Sequence, residues 1–355
     1  MSDKIIRKPY LVGKIQIFAV AAAILYVVFI LSYQYKNNYF PNERYPITSV
    51  TEDVKRLASH VTVGMYINNF SAFSFYKNKF HMNCVVWFRF PVGTNSLNTI
   101  EQFSIQSGKI KRKSKPIVKI TGEDVVVSFN ILVEFVAHLN HKHFPASGHN
   151  LNIILENRLV SQNELVFDAE KEGLRLSDNL LAGSWKPIDK SVETGYIKSD
   201  LVEENKTMEI GYPCVVFSVK FLNHDFRRFV TLYLPLFLLL FVAIFSLFAE
   251  LGSGSQGALV GGAVPGIIFY RLVINSLSPA SESLTKIDSV YFLLVALALI
   301  ILFFYAYTLL VLKIIKDLPK TVYDKRLLSL EKQNEILLYV VLLALTIFLA
   351  YITFF

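Results

Sequence analysis

Cysteine is nearly absent: Cys84 and Cys214 are the only two in 355 residues. Their separation has no metal-ligand spacing, which excludes a zinc-finger or ribbon reading, and two scattered thiols are more often buried than bridged. Charge is scarce too, at 18% of residues, where a soluble globular domain carries about a quarter. Enzyme signatures are missing. There is no nucleophile elbow, no phosphate-cradling glycine loop ahead of a helix and no zinc-helix motif. Acidic residues do not gather in or beside the oily segments, as an intramembrane protease or transferase would need. No catalytic residue, metal site or cofactor is therefore expected. Repeats and low-complexity segments are absent as well, and residues 33–228 hold no apolar run long enough to cross a bilayer.

What the chain does have is oil, 53% of its residues. Five apolar runs stand out, at residues 15–32, 229–248, 258–277, 289–312 and 336–355. Each is close to the ~20 residues that carry an α-helix across a ~30 Å hydrocarbon core. A formal charge of +8 invites a nucleic-acid reading, but its placement argues against one. Lys4, Arg7, Lys8 and Lys14 precede the first run. Lys313, Lys316, Lys320, Lys325, Arg326 and Lys332 lie between the last two. Positive flanks stay in the cytoplasm, so both clusters face inward and the polar stretch faces out. The first run has the basic start of a signal peptide, yet Ser32 to Lys36 offer no small-x-small cleavage site. It reads as an uncleaved anchor over residues 1–36.

The polar stretch, residues 37–228, alternates in many short pieces. Residues 61–68, 80–90, 102–106, 125–139, 151–156 and 214–222 are rich in β-branched and aromatic side chains, with turn residues between them. Short strands at this spacing predict an antiparallel β-sandwich or barrel. The basic run 109–115 reads as a solvated hairpin tip. His138, His141, His143 and His149 raise two possibilities, a metal site or a proton sensor titrating near neutrality. On a strand, His141 and His143 share a face while His138 lies opposite, which spoils a common metal site.

The last four runs are joined by short connections of about nine, eleven and twenty-three residues, so they form one antiparallel bundle. The second of them is unusual. Residues 257–266 are mostly glycine, alanine and valine, with Pro265 among them. Small residues let helices pack closely in lipid, and they also leave room beside a path; the residues alone support both readings. Ala258, Gly262, Pro265, Phe269, Leu272 and Ser276 follow steps of four and three and so share one helix face. Arg271 is the only charge well inside a run, near enough to its end to snorkel to the interface. Glu250 closes the preceding run at the cytoplasmic side, where in a symmetric oligomer it rings a mouth.

At this point the order of parts resembles a pentameric ligand-gated ion channel, the Cys-loop receptor superfamily, in its prokaryotic form. Residues 63–70 with the Val86-Trp87-Phe88-Arg89-Phe90 run resemble the family's first two strands. His143-Phe144-Pro145 followed by residues 151–156 resembles the loop that rests on the membrane domain and the strand after it. Trp185 resembles the tryptophan that opens a late strand. Arg227-Arg228 with the Tyr233-Leu234-Pro235 segment resembles the junction into the first bundle helix, and residues 284–288 resemble the loop before the third. Two departures stand out: the amino-terminal anchor, and Pro265 where the family has an apolar gate residue.

The resemblance implies a β-sandwich ligand-binding domain followed by a four-helix pore domain, with helices M1 at 229–249, M2 at 256–277, M3 at 288–312 and M4 at 336–355. It implies a homo-pentamer in a plasma membrane, bacterial inner membrane by type, gated by a small molecule or a proton and passing cations. Carried over by position, Tyr196, Tyr212 and Glu203 belong to the ligand-capping loop. Glu250 and the Ala258–Ser276 stripe line the pore. Phe144, Pro145, Arg227, Arg228, Thr285 and Asp288 couple the two domains, through an arginine facing Asp288 or an outer-domain acid, with a merely structural buried pair as the alternative. The competing expectation is a non-conducting receptor or complex subunit that keeps this fold and binds a partner through its outer domain.

Overall fold

A computed structural model of the chain describes residues 3–37, 40, 47–75, 77–137, 139–178, 180, 185–198, 211–223, 225–279, 281 and 283–354, with side chains from Lys14 onward. It divides into two units. The β unit takes in residues 39–140 and 147–224, and the helical unit takes in 1–38, 141–146 and 225–355.

The β unit is β-sandwich-like. Its strands are β1 (Ser59–Ser74), β2 (Lys79–Pro91), β3 (Phe103–Ile105), β4 (Gly108–Lys113), β5 (Ile117–Thr121), β6 (Asp124–Val136), β7 (His149–Asn157), β8 (Leu165–Asp168), β9 (Leu174–Leu176), β10 (Trp185–Lys198) and β11 (Gly211–Asn223). A seven-stranded sheet runs β4-β6-β2-β1-β8, with β5 also on β6 and β9 on β1. A four-stranded sheet runs β10-β11-β7-β3. Side chains alternate across a pleated strand, so one face of each sheet can be apolar throughout. In β2 the buried members are Phe80, Met82, Cys84, Val86, Phe88 and Phe90. Together with Val215, Phe217, Val219 and Phe221 of β11 they form one core. Each such side chain stabilises the fold by roughly 1.5–3 kcal/mol on burial.

Two expectations change here. The basic run at 109–115 is largely strand rather than a tip. Lys111 pairs with Glu134 of β6 at 2.7 Å, and Lys113 lays its ammonium 4.2 Å from the Phe103 ring. His141 and His143 lie between β6 and β7 rather than on a strand, so they share no pleat face. His138 lies outside the described residues.

The helical unit consists of five helices long and apolar enough to span a bilayer. They are α1 (Asp3–Lys36), α4 (Phe226–Phe245), the α5 (Gly254–Phe269) and α6 (Arg271–Leu277) pair, α7 (Lys286–Ile315) and α8 (Lys320–Phe354); short helices α2 (Glu52–Leu57) and α3 (Leu97–Glu101) belong to the β unit. Asp225 caps α4 by accepting from the Arg228 backbone at 3.0 Å. Ser253 caps α5 by accepting from Gln256 N at 3.2 Å.

One boundary differs from the sequence reading. The expected connection of about twenty-three residues before M4 shrinks to residues 316–319, because α8 starts at Lys320. At 35 residues it is about 52 Å long, well beyond a ~30 Å core. Its first third is too polar to register as a span. The expected M2 is present as one 24-residue apolar span, Gly254–Leu277, with its turn tightened at Tyr270. There Val273 N donates to Tyr270 O at 3.0 Å, a three-residue bond that tightens the turn. Pro265 does not end α5, which runs four residues past it.

Candidate functional site

The α5–α6 pair carries the small-residue stripe. Ala258, Gly262, Pro265, Phe269, Leu272 and Ser276 are all exposed, while Val260, Ala263, Val264, Ile267 and Ile274 are buried. The two groups divide the helix cleanly into a covered face and an open one. The glycines divide the same way. A Cβ on Gly257 would meet the Tyr305 hydroxyl at 2.3 Å, and one on Gly266 would meet Leu239 at 3.0 Å. These two permit close packing on α7 and α4. Gly261 and Gly262 have nothing within 4 Å of that position. Packing inside this chain does not account for them. On α7 the exposed residues include the large apolar groups Phe292, Ile300, Phe303 and Leu310, alongside Ala296 and Ala306. Glu250 is exposed in the turn between α4 and α5.

At the other end of α5–α6 two of the predicted coupling residues, Thr285 and Asp288, meet Arg271. Thr285 caps α7, and Asp288 closes the capping box: Asp288 accepts from Thr285 N at 2.9 Å and from its hydroxyl at 2.7 Å. Arg271 donates to the other oxygen of Asp288. The guanidinium lies 5.3 Å from the Tyr291 ring centre and 5.6 Å from that of Phe292. Arg271 therefore does not snorkel; it is held by α7. Tyr270 hydrogen-bonds through its hydroxyl to the Thr231 carbonyl of α4. The segment 141–146 joins the helical unit here. Lys286 N donates to Lys142 O at 2.9 Å, Phe144 N donates to His141 O at 2.9 Å, and Phe144 and Pro145 are buried.

The arginine partner expected from the α4 junction is corrected. Arg228 pairs with Asp225 at 3.6 Å and Arg227 is exposed, while the residue on Asp288 is Arg271. A pair seventeen positions apart across a turn leaves no local sequence signal. The capping box Thr285-x-x-Asp288 ahead of an apolar run was a readable signal.

The two tyrosines chosen for ligand binding do not form one cage. Register pairs Tyr196 with Pro213 and Ile197 with Tyr212, so on a period-2 strand the tyrosines face opposite sides of the hairpin. Glu203 lies outside the described residues. The histidines are corrected as well: burial pushes His141 and His143 down to about 4, so neither titrates near neutrality.

A different hollow, of about 480 Å³, lies on the outer face of the larger sheet, lined by Tyr66, Trp87, Arg89, Glu170, Glu172 and Arg175 among others. Gly64 makes it possible. Trp87 lies opposite Gly64, and a Cβ there would sit 2.1 Å from the indole. The indole thus lies flat against β1 and holds the Arg89 guanidinium 5.7 Å from its centre. The Trp87-x-Arg89 alternation, two residues on one strand face, was the sequence signal for this cluster. With two acids, two arginines and two aromatic rings, it can receive a small ligand carrying both charges.

Compared with protein-family models the chain matches none, and the search of curated proteins likewise gives no match.

Proposed function

We propose that the protein is a ligand-gated pentameric ion channel of a plasma membrane, with its amino terminus in the cytoplasm and its β unit outside. In this reading five copies surround an axis, and each turns its 258–276 stripe toward it. The observation that carries the reading is the open face of α5–α6. A face left bare by its own unit, small at Ala258, Gly261, Gly262 and Ser276 and large at Phe269 and Leu272, suits a lumen or a neighbouring copy. A lipid-facing surface is built like α7, from large apolar groups. Glu250, exposed in the turn ahead of the same helix, favours cations at that mouth. The Trp87–Arg89 hollow supplies a place for a small zwitterionic ligand. Its signal reaches the pore wall through Lys142, Lys286, Asp288 and Arg271, a contact chain that two arrangements of the α6–α7 corner would switch.

A specific observation also favours the non-conducting reading. Phe269 and Leu272, each 69% exposed on the stripe, would form an apolar ring that excludes water. One set of measurements decides. Native mass spectrometry of the purified full-length protein reads the copy number, and planar-bilayer recording across a panel of amino acids and amines reads conduction. A pentamer with ligand-evoked currents upholds the channel. A pentamer silent under every condition, including Phe269→Ala, leaves the receptor reading, and a monomer overturns the channel.

A further inference from the structure

The amino-terminal helix has no counterpart in the resemblance, and its setting carries an inference of its own. Along its length α1 meets α8: Gln34 Nε2 donates to Thr353 Oγ1 at 2.7 Å, Tyr26 donates to the Thr346 carbonyl at 3.3 Å, and Tyr33 packs on Phe354 with ring centres 5.4 Å apart. Toward α4 the ring contacts of α1 gather at one end. There Tyr35 sets its ring edge-on to Phe226 and Phe229, at 5.2 and 5.5 Å. Below that contact a groove of about 480 Å³ separates α1 from α4.

Its walls include Val27, Val28 and Leu31 on one side and Val230, Leu234 and Phe237 on the other. The stretch from Ile24 to Lys36 on α1 covers about 18 Å at 1.5 Å per residue. Apart from Tyr233, whose ring is buried, the polar members of the lining are Ser32, Tyr35 and Lys36, all at the closed end. Lys36 is the one charged side chain among them. Water gains nothing in such a groove, and an empty one forfeits dispersion contacts along both walls. The solvent that surrounds spanning helices is the acyl chain.

We propose that this groove is a phospholipid site: one acyl chain of an anionic glycerophospholipid lies between α1 and α4, and its phosphate meets Lys36. The lipid then supplies the packing that α1 and α4 do not give each other, with the charge at the end where the cation stands. This site does not rest on the channel reading, since it needs only the five spanning helices.

The test uses the full-length protein in nanodiscs of phosphatidylglycerol and phosphatidylethanolamine, followed by extraction and native mass spectrometry. One phospholipid per chain is expected to survive, enriched in phosphatidylglycerol. Val28→Trp and Leu234→Trp fill the groove from positions 56% and 51% exposed, and each is expected to abolish retention. Lys36→Gln is expected to lower the preference for phosphatidylglycerol about fivefold, the effect of one cationic contact at a membrane surface. Loss of lipid from folded wild type, retention unaltered in both tryptophan variants, or an unchanged preference in Lys36→Gln overturns the proposal. So does cross-linking that places a second copy in the groove. If the tryptophan variants do not fold, imaging of wild type in dibrominated phosphatidylglycerol decides: bromine density between α1 and α4 upholds the site, and its absence there overturns it.

Discussion

The Arg271–Asp288 contact can be taken apart because Asp288 does two jobs with different chemistry. One oxygen serves the Thr285 cap, at 2.9 Å from the backbone nitrogen and 2.7 Å from the hydroxyl; the other accepts from Arg271. Asn at 288 still offers an acceptor to the cap but carries no charge, whereas Ala removes both. A helix cap of this kind contributes about 1 kcal/mol. Breaking a fully buried pair costs about 3–5 kcal/mol, but the Arg271 side chain is 31% exposed, and screening by solvent reduces the pair to about 1 kcal/mol. Asp288→Asn should therefore destabilise by about 1 kcal/mol and Asp288→Ala by about 2. In an Arg271→Gln background Asp288→Asn should cost almost nothing, while Asp288→Ala should still cost about 1 kcal/mol for the lost cap. The assay is a double-mutant cycle on apparent unfolding constants of the detergent-solubilised full-length protein, in which 1 kcal/mol reads as about fivefold. If Asp288→Asn costs the same with and without Arg271, the pair holds nothing and the link from the 141–146 segment to α6 has no energetic content.

Two further outcomes follow from burial and from open space. His141 and His143 are neutral in the folded protein because desolvation lowers both from 6.5 to about 4. The unfolded chain then binds the extra protons first, so stability is full above pH 6.5 and falls as pH drops toward 4. Melting temperature should track that window, and the His141→Gln, His143→Gln double variant should flatten it. Gly262→Ala should leave stability unchanged or raise it by up to about 1 kcal/mol, since a helix gains from alanine and nothing opposes the methyl. Gly257→Ala should destabilise by about 1–3 kcal/mol through overpacking on Tyr305; equal melting shifts for the two variants would refute the division of the α5 faces.

The parts of this fold that were legible in the sequence are those where one property runs unbroken. Long apolar runs marked the five helices of spanning length, and β-branched and aromatic residues between turns marked β2 and β6, whose buried members all feed one core. Mixed patterns hid the rest. Strand β10 buries only Trp185 and Gly195, so no alternation betrays it. The first third of α8 looked like a connection because Lys320, Lys325, Arg326 and Lys332 break the hydropathy, although charge does not oppose a helix that has left the hydrocarbon. The relation between the two tyrosines was hidden for a subtler reason. Aromatic type was visible, but the face each ring occupies depends on register, and only the pairing of Tyr196 with Pro213 fixes it.

The glycines of α5 show where pattern must yield to geometry. In sequence, Gly257, Gly261, Gly262 and Gly266 are one class, and each is compatible with close packing or with an open path. Three-dimensional surroundings split them in two. Tyr305 and Leu239 occupy the space beside Gly257 and Gly266, whereas among the described residues nothing lies within 4 Å of a Cβ built on Gly261 or Gly262. The first pair is explained by helix contact. The second pair costs helix stability, about 1 kcal/mol each relative to alanine, and receives no contact within the chain in return. In the proposed assembly of copies that cost has a use, since the stripe that includes Gly262 is the face each copy would turn toward the axis.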